Sequence, residues 1–323
     1  AELSRAHETF QITAGSGGTE QVAYNLGRKM ATGETNELTQ AFVNTQRLLQ
    51  TLEVKLRQAL SPILLEPFRM AIGGIMRRTT VDLNNRWQRE VYEPCQRMIA
   101  ERYPFQERGL DASIADVTNF FNPRNGILWT FYDNTLKPFI LEGRDQWVGK
   151  NWQGVGVPLS PSFLENLRYS RHLSESLFAN LTNSTEVPFV LTPYPAKGPA
   201  GRFVSEIFLK IGGQSLRYRM GPQEQQQMHW PGKTSADGTI LQVNVNGVWE
   251  TKEFKGEWGW FHLLDGARVL PHSRDDRHFK IEWDLQTRNG QQFTVMYDLI
   301  AYSSQNPFRP NFFKNFHCVS DLG

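Results

Sequence analysis

Apolar residues recur at helical steps through the first half of the chain and alternate with polar ones through the second. Leu38, Phe42, Leu49, Leu52, Leu56 and Leu60 lie three, four or seven residues apart, which places them on one stripe of a single helix. Ser61-Pro62 is expected to stop that helix and restart another, with Ser as N-cap and Pro at the first helical position. Trp87, Val91, Met98 and Arg102 keep helical spacing further on, while Gly73-Gly74 and Pro94 predict kinks or breaks. Arg102-Tyr103-Pro104-Phe105 ends the segment, because the residue before a proline is pushed out of the helical region. Ser113-Ile114-Ala115-Asp116 carries the capping-box pattern ahead of Val117, Phe120 and Phe121. Asn122-Pro123-Arg124-Asn125-Gly126 reads as a turn into a short helix bearing Trp129, Phe131, Tyr132 and Leu136. Residues 143–159 read as a loop, and Ser160-Pro161 opens a helix that points Phe163, Leu167, Leu173 and Leu177 inward.

Near residue 183 the period changes from 3.6 to 2. Phe203, Ser205, Ile207, Leu209 and Ile211 alternate with Val204, Glu206, Phe208 and Lys210, as one strand of a sandwich would. Gly212-Gly213 joins that strand to Leu216, Tyr218 and Met220, with Arg217 and Arg219 facing water. Asn246-Gly247 separates Leu241-Val243-Val245 from Val248-Trp249, and Asn289-Gly290 separates the run ending at Leu285 from the one opening at Phe293. Both Asn-Gly pairs supply the positive φ angles that two-residue hairpins need. The fold class that follows is α+β in two domains: an N-terminal helical bundle (1–182), an antiparallel β-sandwich (183–303) and a C-terminal extension (304–323). That extension is expected to dock through Phe312, Phe313 and Phe316.

Composition narrows the function. The 323 residues include 9 Trp, 9 Tyr and 21 Phe, enough to fill genuine interiors. Lys and Arg total 35 against 33 Asp and Glu, without the concentrated basic face that nucleic acid requires. No stretch approaches the roughly 20 consecutive apolar residues that span a bilayer, and no signal peptide opens the chain. Cys95 and Cys318 are the two cysteines, and they read as separate thiols packed as small hydrophobes, a single bridge remaining open.

Motifs that carry chemistry are scarce. Gly15-Ser16-Gly17-Gly18-Thr19 lacks the Gly-Lys-Ser/Thr end of a phosphate loop and reads as a flexible connector. His229, His262, His272 and His278 have no close zinc-like spacing and no nearby Cys. His272 falls in Pro271-His272-Ser273-Arg274-Asp275-Asp276-Arg277, which reads as a solvated hairpin. No serine or cysteine nucleophile motif occurs. Glu257, Asp265, Glu282 and Asp284, near Trp258, Trp260 and Trp283, are the carboxylates that a glycan hydrolase would use. Exposed Trp rings would equally suit a glycan-binding module, whereas core packing is the reading that the continuous run Trp258–Leu264 favours.

Three ordered signatures close the chain: Trp230-Pro231-Gly232, then Gly256-Glu257-Trp258-Gly259-Trp260-Phe261-His262-Leu263-Leu264-Asp265, then Asn306-Pro307-Phe308 with Phe316-His317-Cys318. Their order and spacing resemble the C-terminal periplasmic region of the TssM (IcmF-like) family, the large envelope protein of type VI secretion machines. Trp87 with Val91, Cys95 and Arg102-Tyr103-Pro104-Phe105, the stretch Asp116–Gly126, and Leu136-Lys137-Pro138-Phe139 extend that resemblance over roughly residues 38–318. The resemblance implies a non-enzymatic periplasmic scaffold without cofactor or metal. It implies an inner-membrane protein anchored through an N-terminal part outside this chain. Its implied partners are the outer-membrane lipoprotein TssJ, the inner-membrane protein TssL and further copies of itself around the channel. Asn246, Gly247, Trp249 and Asp275, on turns expected to be exposed, are the candidate partner-binding residues. A cell-wall glycan-binding module or glycan hydrolase is the alternative reading.

Overall fold

The structure, a computed structural model, describes residues 19–178, 184–234, 237–273 and 275–323. The Gly15–Gly18 run, Asn183 at the expected boundary and Arg274 lie outside the described residues. The fold is α+β, a helical region followed by antiparallel sheets. Two compact units are each assembled from separate stretches. One holds the chain up to Pro94, Leu128–Arg168 and Val319–Gly323; the other holds Cys95–Ile127 and Tyr169–Cys318.

In the first unit, α1 (Thr19–Thr32), α2 (Glu37–Gln50) and α3 (Val54–Trp87) pack together. Asn36 caps α2, its side chain accepting from Thr39 N. The expected single stripe from Leu38 to Leu60 is divided, because α2 stops at Gln50 and α3 starts at Val54. Leu38, Phe42 and Leu49 are buried, whereas Leu56 is exposed. Pro62 does not break the chain: α3 runs through Pro62 and Pro67. Both prolines lie on exposed turns, so the carbonyls of Gln58 and Ile63 that lose their donors stay open to water. Gly73-Gly74 is crossed without a break. Ahead of Pro94 the helix widens into a π turn, Gln88–Tyr92, before α4 (Glu93–Met98). The uninterrupted Val54–Met98 run is therefore apolar and long enough to cross a membrane by length and composition, which reading Pro62 as a break had concealed.

Gly27 of α1 faces Thr79 so closely that a Cβ there would stand 2.5 Å from the hydroxyl, and Thr79 donates to Ala23 O at 2.9 Å. Trp87 packs edge-on against Phe131 and Phe163 and donates to Val319 O at 2.8 Å. Leu322, fully buried, donates its N–H to Asn84 and accepts from Ser160 N through its carbonyl. The segment read as a loop, 143–159, contains β2 (Trp147–Gly149), which pairs with β1 (Ile140–Glu142) just before it, and a ribbon of β3 (Asn151–Trp152) with β4 (Val155–Gly156). Two or three residues per strand give too little alternation to be seen in sequence.

The second unit carries α5 (Ile114–Phe121), capped by Ser113 as expected, and two antiparallel sheets. One sheet orders β10 (Val248–Phe254), β9 (Thr239–Val245), β6 (Val204–Ile211) and β7 (Gln214–Tyr218). The other orders β11 (Arg268–His272), β12 (Asp275–Gln286), β13 (Gln292–Ala301), β5 (Val187–Lys197) and β8 (Gln226–Trp230). Each sheet buries one face, with Ile207, Leu209, Leu241 and Val243 in the first and Phe189, Ile281, Trp283 and Tyr297 in the second. A bulge between Val204 and Glu206 inverts the alternation, so Val204 is buried and Phe203 is exposed. Asn246 and Gly247 both take positive φ, but at the second Asn-Gly only Gly290 does. Its loop is longer, closed by Gly290 N on Thr287 O and by Thr287 N on Gln291 O.

Cys95 and Cys318 form a disulfide, which overturns the reading of two separate thiols. Sequence separation of 223 residues says nothing of proximity; the fold brings the Cα atoms to 5.8 Å. Tyr297 is completely buried against Trp283, and its hydroxyl has no protein partner. Burial pushes its pKa well above the usual tyrosine range. Removing an unpaired buried hydroxyl should stabilise the protein, so Tyr297→Phe is expected to raise stability by about 1 kcal/mol. A lower urea midpoint for this variant than for the parent would refute it.

Candidate functional site

The sequence signatures converge on one aromatic interior of the second unit. Trp230 of β8 lies 4.6 Å from Trp258 and 4.8 Å from Phe261, centroid to centroid. Trp258 and Phe261 meet Phe313, and Phe261 stacks with Phe308. Phe105 reaches Phe121, Phe313 and Phe316. The Trp258–Asp265 run, read as one apolar stretch, includes a short helix, α6 (Gly259–Asp265). Gly259 is required because a Cβ would stand 2.5 Å from Phe254 O. Indole donors are tied to backbone: Trp258 to Ala112 O, Trp230 to Glu257 O and Trp283 to Leu263 O. Asn306 turns its side chain back, accepting from Phe308 N and donating to Ser303 O, which seats Phe308 in the core.

Eight of the nine tryptophans are thereby buried or half-buried; Trp249 is the exposed one. It sits on β10, an edge strand, opposite Asn244 of β9. Directly opposed residues share a face. Since Leu241, Val243 and Val245 are buried, Trp249 and Asn244 point to the outer side of the sheet. Asn244 Oδ1 accepts from Gly247 N at 2.9 Å and from Ser205 at 3.0 Å, bracing the tip. Glu206, next in the row beyond Asn244, pairs with Arg217 and Arg219. Asn246, Gly247 and Trp249 therefore belong to one rigid hairpin end.

Asp275 does not join them. It opens β12, accepting from Arg277 N at 3.0 Å, a hydrogen bond that leads in holding its pKa below the ordinary carboxylate range. The other end of β12, about 36 Å further at 3.3 Å per residue, leads to Arg288, whose N–H donates to Glu250 of β10. The Asp275 turn and the Trp249 tip thus mark opposite ends of the strand layer.

The carboxylates considered for glycan chemistry are dispersed and engaged. Glu257 accepts from Ile114 N at 2.9 Å and Asp265 from the Tyr103 hydroxyl at 2.7 Å. Burial first, then Asp265, pushes that hydroxyl far above its normal pKa. Glu282 pairs with Lys280 and Arg268, which together lower its pKa, and Asp284 pairs with Arg268. Asp111 meets His262 at 2.9 Å, a pairing that no linear spacing signals. Among the described residues no cluster of three or more His, Cys, Asp or Glu is placed to hold a metal ion. An open groove of about 1230 Å³ is lined by Thr118, Asn119, Thr185, Gln214, His229 and Lys233, among others. Gln214 braces it, its amide bonding both N–H and C=O of His229, while Glu186 Oε1 lies 3.0 Å from His229 Nδ1.

Two models of one family match the chain: the type VI secretion protein IcmF helical domain over residues 78–182 and the IcmF C2-like domain over 189–295. The chain belongs to the TssM (IcmF-like) family. No curated protein matches the sequence. Among solved structures, one titled a type VI secretion system membrane core complex is similar over 97% of this chain, with TM-score 0.81 and 21% identity. The chain spans 62% of that relative's length. The C-terminal domain of TssM from EAEC matches over 75% of this chain and 98% of its own length, with TM-score 0.64 and 23% identity. A type VI membrane complex matches over 97% of this chain and 59% of its own, with TM-score 0.77 and 20% identity. These likenesses show that the IcmF-like fold is shared; the signatures read from sequence are its aromatic interior.

Proposed function

We propose that this chain is a non-enzymatic scaffold of the type VI membrane core complex, placed in the periplasm, where it holds the outer-membrane lipoprotein TssJ and assembles with TssL and further copies of itself. The observation that carries this reading is the distribution of aromatics: the signature rings fill the interior, and a single exposed tryptophan stands on a braced hairpin end. A rigid aromatic on an exposed tip suits an interface anchor, the residue type that dominates binding energy when seated in a partner pocket. The disulfide agrees with an oxidising compartment. On this reading Asn246 and Gly247 present Trp249, and Asp275 belongs to a separate contact at the far end of β12. Binding by surface complementarity needs roughly 800 Å² per partner.

Trp249→Ala is expected to weaken capture of a TssJ-type lipoprotein by about tenfold or more, with the melting temperature unchanged because the ring supports no core. Calorimetric titration of the soluble lipoprotein checks it. Undiminished affinity would remove Trp249 from the interface.

A further inference from the structure

The sequence holds three Asn-Gly pairs, Asn125-Gly126, Asn246-Gly247 and Asn289-Gly290. At each, the glycine nitrogen has no neighbouring side chain to keep it from attacking the preceding carboxamide. The fold restrains the three in different ways. Gly126 is buried and donates to Asn122 O at 2.8 Å, and a Cβ there would stand 2.6 Å from Asn122 N. Gly290 is exposed, but its N–H donates to a backbone acceptor, Thr287 O, at 2.8 Å. Gly247 is exposed, with nothing within 4 Å of a Cβ built on it. Its N–H donates to a side chain, Asn244 Oδ1, at 2.9 Å. A backbone acceptor is fixed by the fold, whereas a side-chain acceptor leaves with one rotamer change.

We infer that Asn246 is a modification site, a one-way charge switch at the hairpin tip, and that Asn244 is the guard that sets its rate. In the reaction Gly247 N bonds to Asn246 Cγ. The carboxamide nitrogen leaves as ammonia, carrying the proton that Gly247 gives up, and a cyclic imide remains. Solvent water then opens one of the two acyl C–N bonds of that ring. One opening yields aspartate; the other yields isoaspartate, in which the main chain runs through the side-chain carbons. While the Gly247 N–H is bonded to Asn244 the turn stays closed and the nitrogen is held away from Cγ. Ser205 donates to the same Oδ1 at 3.0 Å and keeps the acceptor in place. Either product sets a carboxylate on the tip that carries Trp249. Isoaspartate also lengthens the backbone of a two-residue turn whose geometry depends on positive φ at both positions. Weaker capture of the lipoprotein by the modified tip rests on the reading of Trp249 as its anchor; the chemistry does not.

The intact chain and its Asn244→Ala and Asn244→Asp variants, incubated at neutral pH and mapped by peptide mass spectrometry, test the guard. In the parent, Asn246 should convert faster than Asn289, and Asn125 slowest. Asn244→Ala should raise the Asn246 rate about fivefold, the factor that one hydrogen bond of ordinary net strength places on opening, and leave Asn289 unchanged. Asn244→Asp keeps an acceptor oxygen and should stay within roughly twofold of the parent. An unchanged Asn246 rate in Asn244→Ala overturns the inference, as does a parent in which Asn289 is the faster site. Equal acceleration at both sites also overturns it, because that marks general loosening and not the loss of a guard. Asn246→Asp, one of the two products made directly, should bind the soluble lipoprotein at least roughly threefold more weakly than the parent. If it binds as the parent does while Trp249→Ala binds weakly, the switch is refuted. If Trp249→Ala also binds normally, the anchor reading fails and the mass-spectrometric result alone decides the modification.

Discussion

Trp258→Ala is expected to destabilise the protein by about 4 kcal/mol or more, a value typical of a large aromatic removed from a close-packed interior. The indole contacts Trp230, Phe261, Phe313 and Tyr103, so its loss opens the region where the three signatures meet. It also leaves Ala112 O without its buried donor, a further penalty beyond the lost ring volume. Trp258→Phe should fall between parent and Ala variant, because it keeps a ring but not the N–H. Urea midpoints for the three proteins check the order. If the Ala variant stays within about 1 kcal/mol of the parent, the signature run is not the keystone of this core.

Cys318→Ser should rank beside it. Joining residues 223 apart removes chain entropy from the unfolded state, a contribution of about 5 kcal/mol in the loop-closure picture. The parent should lose a comparable amount when dithiothreitol is added, whereas Cys318→Ser and Cys95→Ser should not respond further. Cys318 is half-buried and the bridge is therefore open to reductant, while Cys95 is 2% exposed. Melting curves with and without reductant decide the matter. A parent insensitive to reductant under conditions where free thiols are demonstrably produced would contradict it.

Much of the fold is legible in sequence because its signals are local. Ser113 and Ser160 cap the helices they precede, and Asn246-Gly247 and Gly212-Gly213 turn through positive φ. Non-local features are not legible. Pro62 reads as a breaker, yet exposure of the turns that it and Pro67 weaken lets α3 pass. Phe203 changes face because a one-residue bulge inverts the alternation ahead of Glu206, while Ile207, Leu209 and Ile211 stay buried as read. The Cys95–Cys318 bridge and the His262–Asp111 pair depend on which distant segments share a neighbourhood. Of the partner residues chosen as exposed turns, Asn246, Gly247 and Trp249 share one tip because they are adjacent in sequence. Asp275 was grouped with them by exposure alone, and a twelve-residue strand separates it from that end.

The participation of Val319–Gly323 in the first unit affects how the chain is made. Trp87 has no backbone acceptor at Val319, and Asn84 no Leu322 to hold, until those residues leave the ribosome, long after Arg168 has emerged. The helices around Trp87 must therefore wait, incompletely closed, through synthesis of the entire strand region. A nascent chain stalled before Val319 would expose this waiting state to proteases, and holding chaperones would find their binding surface there.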